Sequence, residues 1–339
     1  MKLKNISLIG SLAFLLLAVS TIAFAQELSL SAVRSEIADL NSAIQKKGAA
    51  WQAAETPISR LSPAELQQRV GTVALKLAAK PIPDEMGAEE DQPPLPSSWN
   101  WREHNAVSAV KNQLNCGSCW AFAMTGGLES NALLTHNASG KVSYSEQVLI
   151  SCGGIGSCKG GTLDADFLVS KGLPPTDYYP YTQSNGDCAK AGANWEKAAY
   201  KIGDWGSVTQ DLSAIKTALT KYGPLPTAFM VYADFKHYKS GVYSHVSGKK
   251  LGGHAVLIVG YNDDDKYFIV KNSWGDDWGE NGFFRIAYSE MTNESNFGMS
   301  TIAYQAAESQ NYYSHFVKND MSKPAKDMQP LLDQAVLIQ

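Results

Sequence analysis

The sequence predicts an α+β protein of two lobes: a helical lobe with a central helix, then a lobe of antiparallel β-sheet or barrel, with a cleft between them. Three observations carry this. An apolar run from Cys119 to Leu134 suits one buried helix, and shorter helical stretches follow it. Beyond Gly223-Pro224 the apolar spacing becomes strand-like, at Thr227–Tyr232, His254–Tyr261, Tyr267–Lys271 and Phe283–Tyr288. The N-D-D-D turn at 262–265 joins two of these runs as a hairpin. Helices and strands segregated along the chain make an α+β fold, and a groove between two lobes is where a ligand lies.

The first element is a targeting segment. Lys2 and Lys4 lead an apolar run from Ile6 to Phe24, and Ala23-Phe24-Ala25 is a small-x-small cleavage site before Gln26, so residues 1–25 are expected to be a secretory signal. A membrane anchor is the alternative for a stretch of this length. Ser7, Gly10, Ser11, Ser20 and Thr21 dilute it, which favours cleavage and a secreted protein, extracellular or periplasmic, or one held in a lysosome-like compartment if the source is eukaryotic. The remaining sequence has no bilayer-spanning segment, so no membrane association is expected after cleavage. The 339 residues are 44% hydrophobic and 18% charged, with a net charge of −4 that gives no electrostatic reason to expect nucleic acid.

Residues 26–94 come next. Leu30, Val33, Ile37, Leu40 and Ile44 fall in alternating steps of three and four, one apolar face of a helix. Ser62-Pro63-Ala64-Glu65 announces a second, short helix: a capping serine, proline at the first position and a glutamate placed for a capping box, with Gly71 to stop it. Trp51 and the A-E-T-P-I-S-R-L stretch between them are extended in character. This is too little apolar surface for an independent core, and suits a segment folded against a larger body. An N-terminal helical domain of unrelated purpose is the alternative. Asp84 to Asp91 is acidic, and Pro93, Pro94 and Pro96 follow, which reads as an exposed linker where proteolysis concentrates.

The body, 95–305, begins at L-P-S-S-W-N-W-R-E. After the central helix, Tyr144-Ser145-Glu146-Gln147 starts another that ends at Ser151-Cys152, Thr162 to Lys171 forms a third, and Asp211 to Tyr222 a fourth. The tail, 306–339, has no assigned role.

The chemistry concentrates in V-K-N-Q-L-N-C-G-S-C-W-A-F at 110–122. The order places Cys119 at a helix N-terminus, where unpaired N–H groups and the helix dipole favour an anion and make the thiol a better nucleophile. Gln113 can aim a side-chain amide at the same point, as an oxyanion donor should. The five cysteines, 116, 119, 152, 158 and 188, leave one thiol over in a secreted chain. Alternatives are a redox pair Cys116-x-x-Cys119 in a thiol–disulfide oxidoreductase, a four-cysteine zinc site, or five structural cysteines. No βαβ pattern supports the first, and the spacing is poor for the second.

This segment resembles the active-site segment of papain-like cysteine peptidases. G-G-H-A-V-L-I-V-G-Y at 252–261 and K-N-S-W-G-D-D-W-G-E-N-G at 271–282 resemble the same family in the same order, and the similarity runs from about Leu95 to about Tyr304. The resemblance implies a papain-like fold, with Cys116 paired to Cys158, Cys152 paired to Cys188 and Cys119 free. It implies Cys119 as nucleophile, His254 as base, Asn272 orienting His254 through its amide oxygen, and Gln113 in the oxyanion hole. Trp274 would cover the His254–Asn272 bond, with Trp278 beside it. Phe297 stands where the family often has a cysteine of a third disulfide.

Substrate residues follow by the same resemblance. Gly161 would hydrogen-bond an extended peptide. Ala228, Ala255, Leu163 and Ile302 would wall an uncharged pocket for the second residue before the cut, favouring Leu, Val or Phe. After Tyr179-Pro180-Tyr181 there is no histidine-bearing insertion of the kind that makes some relatives carboxydipeptidases, so an endopeptidase is expected. It would act on proteins or peptides without metal or organic cofactor, as a monomer, held inactive by its own pro-segment crossing the cleft in the direction opposite to substrate. A non-catalytic peptide-binding protein on the same scaffold is the rival from another class; it usually lacks the cysteine, histidine or glutamine, all present here.

Overall fold

In the computed structural model the described residues are 30–71, 80, 94–136 and 142–306. The expected signal (1–25), the acidic linker (84–91) and all but the first residue of the expected tail lie outside them.

Helix α1 (30–47) turns Val33, Leu40 and Ile44 inward, with Leu30 and Ile37 half-buried, along the face the spacing predicts. Strand β1 (Trp51–Ala53) follows. Asn41 of α1 clasps it, its amide donating to Ala53 O at 2.9 Å and accepting from Ala53 N at 3.0 Å. Helix α2 (Pro63–Val70) carries the expected capping box: Ser62 Oγ accepts from Glu65 N, and the Glu65 carboxylate accepts from Ser62 N at 2.8 Å. It ends at Gly71.

In the body, β2 (Ser98–Asn100) precedes the central helix α3 (Cys119–His136), where Trp120, Met124 and Leu128 are wholly buried. Helix α4 (Glu146–Cys152) is capped by Ser145, whose hydroxyl accepts from Val148 N. A small ribbon, β3 (Gly156–Ser157) and β4 (Gly160–Gly161), leads to α5 (Asp166–Ser170). The helix expected over 162–171 is thus shorter at both ends. Asp164 Oδ1 accepts from Asp166 N at 3.0 Å, holding that stretch in a turn until residue 166.

The second half holds β5 (Asp204–Ser207), α6 (Leu212–Tyr222) capped by Asp211, and β6 (Leu225–Tyr232). The remaining strands are β7 (Tyr238–Tyr243), β8 (Lys250–Asn262), β9 (Tyr267–Lys271), β10 (Phe283–Ala287) and β11 (Ile302–Gln305). The main sheet runs β1-β7-β10-β9-β8-β2, with β6 also paired to β8. Every pairing is antiparallel except β10 with β7. One strand of this sheet, β1, comes from the segment ahead of the body, and the pairing satisfies the edge of β7.

That segment shares the sheet lobe's core: Leu40, Ile44, Trp51, Ile58, Leu66 and Val70 are buried in one cluster with Phe235, Tyr243, Trp274 and Trp278. The helical lobe has its own cluster around α3, which Ala228, Ala255 and Ile302 join from the strands. Disulfides Cys116–Cys158 and Cys152–Cys188 staple the helical lobe, and Cys119 is free. Among the described residues no helix is long and apolar enough to cross a membrane.

Candidate active site

Cys119 opens α3, after Ser118, whose carbonyl accepts the first helical bonds from Ala121 and Phe122. Its sulfur faces the backbone N–H groups of Ala255, Trp120 and Cys119 itself, all of which favour a thiolate. Ala255 is the neighbour of His254 on β8, so the sheet lobe brings the imidazole and the thiol to one region. His254 Nε2 donates to Asn272 Oδ1 at 2.8 Å, and Trp274 stacks on the imidazole with centroids 4.8 Å apart. With Nε2 carrying the proton, Nδ1 is the unprotonated nitrogen, and it has no hydrogen-bond partner among the described residues. Trp278 packs edge-on to Trp274 at 5.1 Å.

Gln113 is wholly buried on the opposite wall. Its main chain is tied to the sheet lobe, Gln113 N donating to Ser273 O at 2.8 Å. Its side chain is tied as well, Ser273 Oγ donating to Oε1 at 2.6 Å, which turns the NH2 toward the cleft. One amide proton goes to Cys116 O at 2.9 Å and the other to the carbonyl oxygen of Arg69 at 2.7 Å. Arg69 is the penultimate residue of α2. At the next residue, Cys119 Sγ donates to Val70 O at 3.7 Å. Gly71 then passes Gly117 so closely that a Cβ on Gly71 would stand 2.8 Å from Gly117 O. The end of α2 therefore fills the cleft.

Burial under this segment reverses the electrostatics expected of an open site. Desolvation pushes the Cys119 thiol up to about 11, against the pull of the surrounding N–H groups, and pushes the His254 imidazole down to about 4 despite its bond to Asn272. In this covered form the neutral thiol and neutral imidazole are the stable pair.

Ala228 and Ala255 are cross-strand partners on β6 and β8, and Leu163 and Ile302 are buried in the same cluster as Cys119. Gly161 lies against the indole of Trp120, where a Cβ would come within 2.6 Å of the ring. All of these sequence-predicted residues therefore gather at or beside one cleft. The redox alternative is not met, because Cys116 is already bonded to Cys158 and not to Cys119.

Sequence reasoning missed a buried charge network behind the site. Lys111 Nζ donates to Glu129 Oε1 at 2.7 Å and Glu146 Oε1 at 2.6 Å, and Lys271 Nζ donates to Ser108 Oγ at 2.9 Å. Burial lowers the Lys271 ammonium to about 8 and raises the Glu146 carboxyl. The two lysines and two glutamates line a cavity of about 20 Å³ next to Asn272 and Ser273, large enough for one water. The lysine of K-N-S-W was one available signal, since a charge that closes an apolar strand needs a partner.

A free thiol at the head of a central helix, with a histidine–asparagine pair on the facing lobe, defines a cysteine-type peptidase. Residues 95–310 match the family model described as papain family cysteine protease, and the chain belongs to that family. "Cathepsin B-like CP3" of Giardia intestinalis is 41% identical over 216 residues, 59% of this chain and 71% of that protein. "Pro-cathepsin H" of Mus musculus is 44% identical over 207 residues, 57% of this chain and 60% of that protein. Among solved structures, a digestive procathepsin L2 proteinase from Tenebrio molitor larval midgut superposes with a TM-score of 0.71 at 26% identity, covering 84% of this chain and 93% of that one.

Proposed function

We propose that this chain is the precursor of a secreted cysteine endopeptidase, with residues 26–94 as its intramolecular inhibitor and 95–305 as its catalytic domain. One observation carries it: Gln113 Nε2 holds a peptide carbonyl oxygen, that of Arg69, at 2.7 Å. An oxyanion donor is recognised by the carbonyl it takes, and here the chain offers its own. The contact at the thiol is inhibitory in kind. Cys119 donates to the carbonyl oxygen of Val70, which requires a protonated sulfur and leaves the nucleophile pointed at oxygen and not at a carbonyl carbon. A tethered segment blocks in this way at high effective concentration without high intrinsic affinity.

Once the segment leaves, water and the helix N-terminus favour charge, and the thiol proton passes to His254 Nδ1. The thiolate adds to the scissile carbonyl. The oxyanion is held by Gln113 Nε2 and the Cys119 N–H, each such donor contributing about two to three powers of ten in rate. As the C–N bond breaks, the imidazolium protonates the leaving amine and a thioester remains. Water, deprotonated by His254, attacks it and releases the carboxylate and the thiol. Asn272 keeps the ring oriented, and Trp274 shields their bond from water. Extended substrates would lie against Gly161, with an apolar side chain between Ala228 and Ala255 near Leu163 and Ile302.

The test compares wild type with Cys119→Ala, both full length from residue 26, held at mildly acidic pH. Wild type should shorten to a form beginning near Leu95 that cleaves a positional peptide library with Leu, Val or Phe at the second residue before the cut. The variant should stay intact. Shortening and cleavage by Cys119→Ala would overturn the assignment.

A further inference from the structure

Outside the groups that meet a scissile bond, one side chain touches both walls of the oxyanion hole. The Tyr181 hydroxyl donates to the main-chain carbonyl of Gln113 at 2.6 Å and lies 2.9 Å from Ser118 Oγ. A phenol has one proton, so with that proton on Gln113 the serine must be the donor in the second bond. The result is a directed chain, Ser118 to Tyr181 to Gln113. Gln113 supplies the side-chain donor of the hole. Ser118 immediately precedes Cys119, whose N–H supplies the other.

The ring is itself held. Phe122 meets it edge-on with centroids 5.0 Å apart. The next residue is anchored to α4, Thr182 N and Oγ1 donating to Gln147 Oε1 at 2.8 and 3.0 Å. Gln147 is wholly buried and fastens the loop again by donating to Ser184 O at 2.9 Å. Burial pushes the phenol up to about 12, so it stays protonated wherever a thiol peptidase works.

We propose that Tyr181 is a positioning residue whose hydroxyl fixes the separation of the two oxyanion donors, Gln113 Nε2 and Cys119 N–H. This rests on the oxyanion assignment made above. Losing a donor outright costs about 10²- to 10³-fold in kcat. Loosening the spacing of two donors that both remain forfeits part of that, and a loss of about tenfold is expected.

The experiment uses the processed enzyme with Tyr181→Phe, with Ser118→Ala as a second variant that cuts the same chain at its other end. Both are made in the wild-type and Gln113→Ala backgrounds. Three readouts separate positioning from structure: kcat, KM, and the rate of Cys119 alkylation by iodoacetamide, which forms no oxyanion. Each variant should lower kcat about tenfold with KM within about twofold and the alkylation rate unchanged, and should cost nothing further once Gln113 is alanine. A fast Tyr181→Phe enzyme beside a slow Gln113→Ala enzyme overturns this inference alone. So does a loss that persists in the Gln113→Ala background, or that appears equally in alkylation. A Gln113→Ala enzyme with undiminished kcat overturns the oxyanion assignment and this inference with it.

Discussion

Gln113 and Arg69 lie 44 positions apart, and the side-chain amide of one donates to the main-chain carbonyl of the other at 2.7 Å. Only the end of a helix makes this possible. The last carbonyls of α2 have no intrahelical partner, so Arg69 O and Val70 O are free to accept from the cleft. The capping box at Ser62 and Glu65 fixes where α2 begins, and its eight residues fix which carbonyls those are.

Gly71 is the point at which the chain must leave the helix and still clear the catalytic loop. Its φ of +50° with ψ of 162° is a conformation essentially confined to glycine, costing another residue about 1–3 kcal/mol. A Cβ there would also meet Gly117 O at 2.8 Å. Gly71→Ala should therefore lift the end of α2 from the cleft. The rate of Cys119 alkylation in the full-length protein should rise at least about fivefold, the factor that corresponds to about 1 kcal/mol. A wild-type rate would mean that this segment does not control access to the thiol.

The covered dyad gives a second expectation, in pH. With the thiol near 11 and the imidazole near 4, the full-length protein holds an un-ionised sulfur across the neutral range. Its alkylation rate should climb about tenfold per pH unit toward 11, as a plain buried thiol does. The processed enzyme should react quickly with little dependence on pH through the neutral range, as the ion pair proposed for the uncovered cleft requires. Iodoacetamide rates on both forms between pH 5 and 10 decide it, and identical profiles would contradict a switch in protonation on uncovering.

Much of the site was legible because its residues sit in short, contiguous motifs: the Cys119 helix start, His254 before a strand, Asn272 at the end of the next. The principal helices and long strands were legible from apolar spacing. What escaped were elements defined by partners far away in sequence. Strand β7 is broken by Lys239-Ser240-Gly241 and becomes a strand because β1 and β10 pair with it. Tyr181 looks like a loop aromatic until the fold brings Gln113 and Ser118 to its hydroxyl. The acidic linker, expected as an exposed site of proteolysis, lies outside the described residues, whereas a histidine given no attention in the sequence, His237, is buried at the pro-segment contact.

Trp51 is the aromatic anchor of that contact. It packs against Tyr243 and Tyr238 with centroids 5.2 and 6.2 Å apart, from a strand paired to β7. Trp51→Ala removes about 3–5 kcal/mol of buried packing. Full-length protein carrying it should shorten itself at neutral pH, where wild type should remain intact. The processed enzyme, which lacks residue 51, should show unchanged kcat and KM. Stable full-length Trp51→Ala protein at neutral pH would place the anchor elsewhere.

The proposed pocket gives a fourth expectation. Ala228, Ala255, Leu163 and Ile302 offer no charge, so a guanidinium entering would be desolvated without a partner. Peptides with Leu at the second position before the cut should exceed their Arg counterparts in kcat/KM by tenfold or more, the factor that corresponds to about 1.4 kcal/mol. Equal values would relocate the pocket.

The pH dependence of pro-segment release should belong to His237. The catalytic dyad cannot supply it near neutrality, because thiol with imidazole and thiolate with imidazolium carry the same single proton. His237 is buried at the end of the turn before β7, with Nδ1 2.9 Å from Ser59 Oγ and Nε2 3.3 Å from Glu36 Oε1, both partners belonging to the pro-segment. Lys236 shares the Glu36 carboxylate at 3.1 Å, and Asp234 faces the ring from farther off while bonded to Tyr243. Burial first, then Lys236, lowers the imidazole below its ordinary 6.5, and the attraction of Glu36 and Asp234 does not reverse this. Glu36 is half exposed and already engaged, so its pull is screened. The sign follows: the released form binds the proton more readily, so docking is undiminished above pH 6.5 and weakens as pH falls below it toward the lowered value of the docked form. His237→Asn keeps a polar group for Ser59 but cannot titrate, and should need a lower pH for half-maximal self-processing than wild type. Glu36→Gln, which removes the attraction that resists the shift, should process at a pH no lower than wild type. An unchanged midpoint in His237→Asn would assign the acid response to other groups.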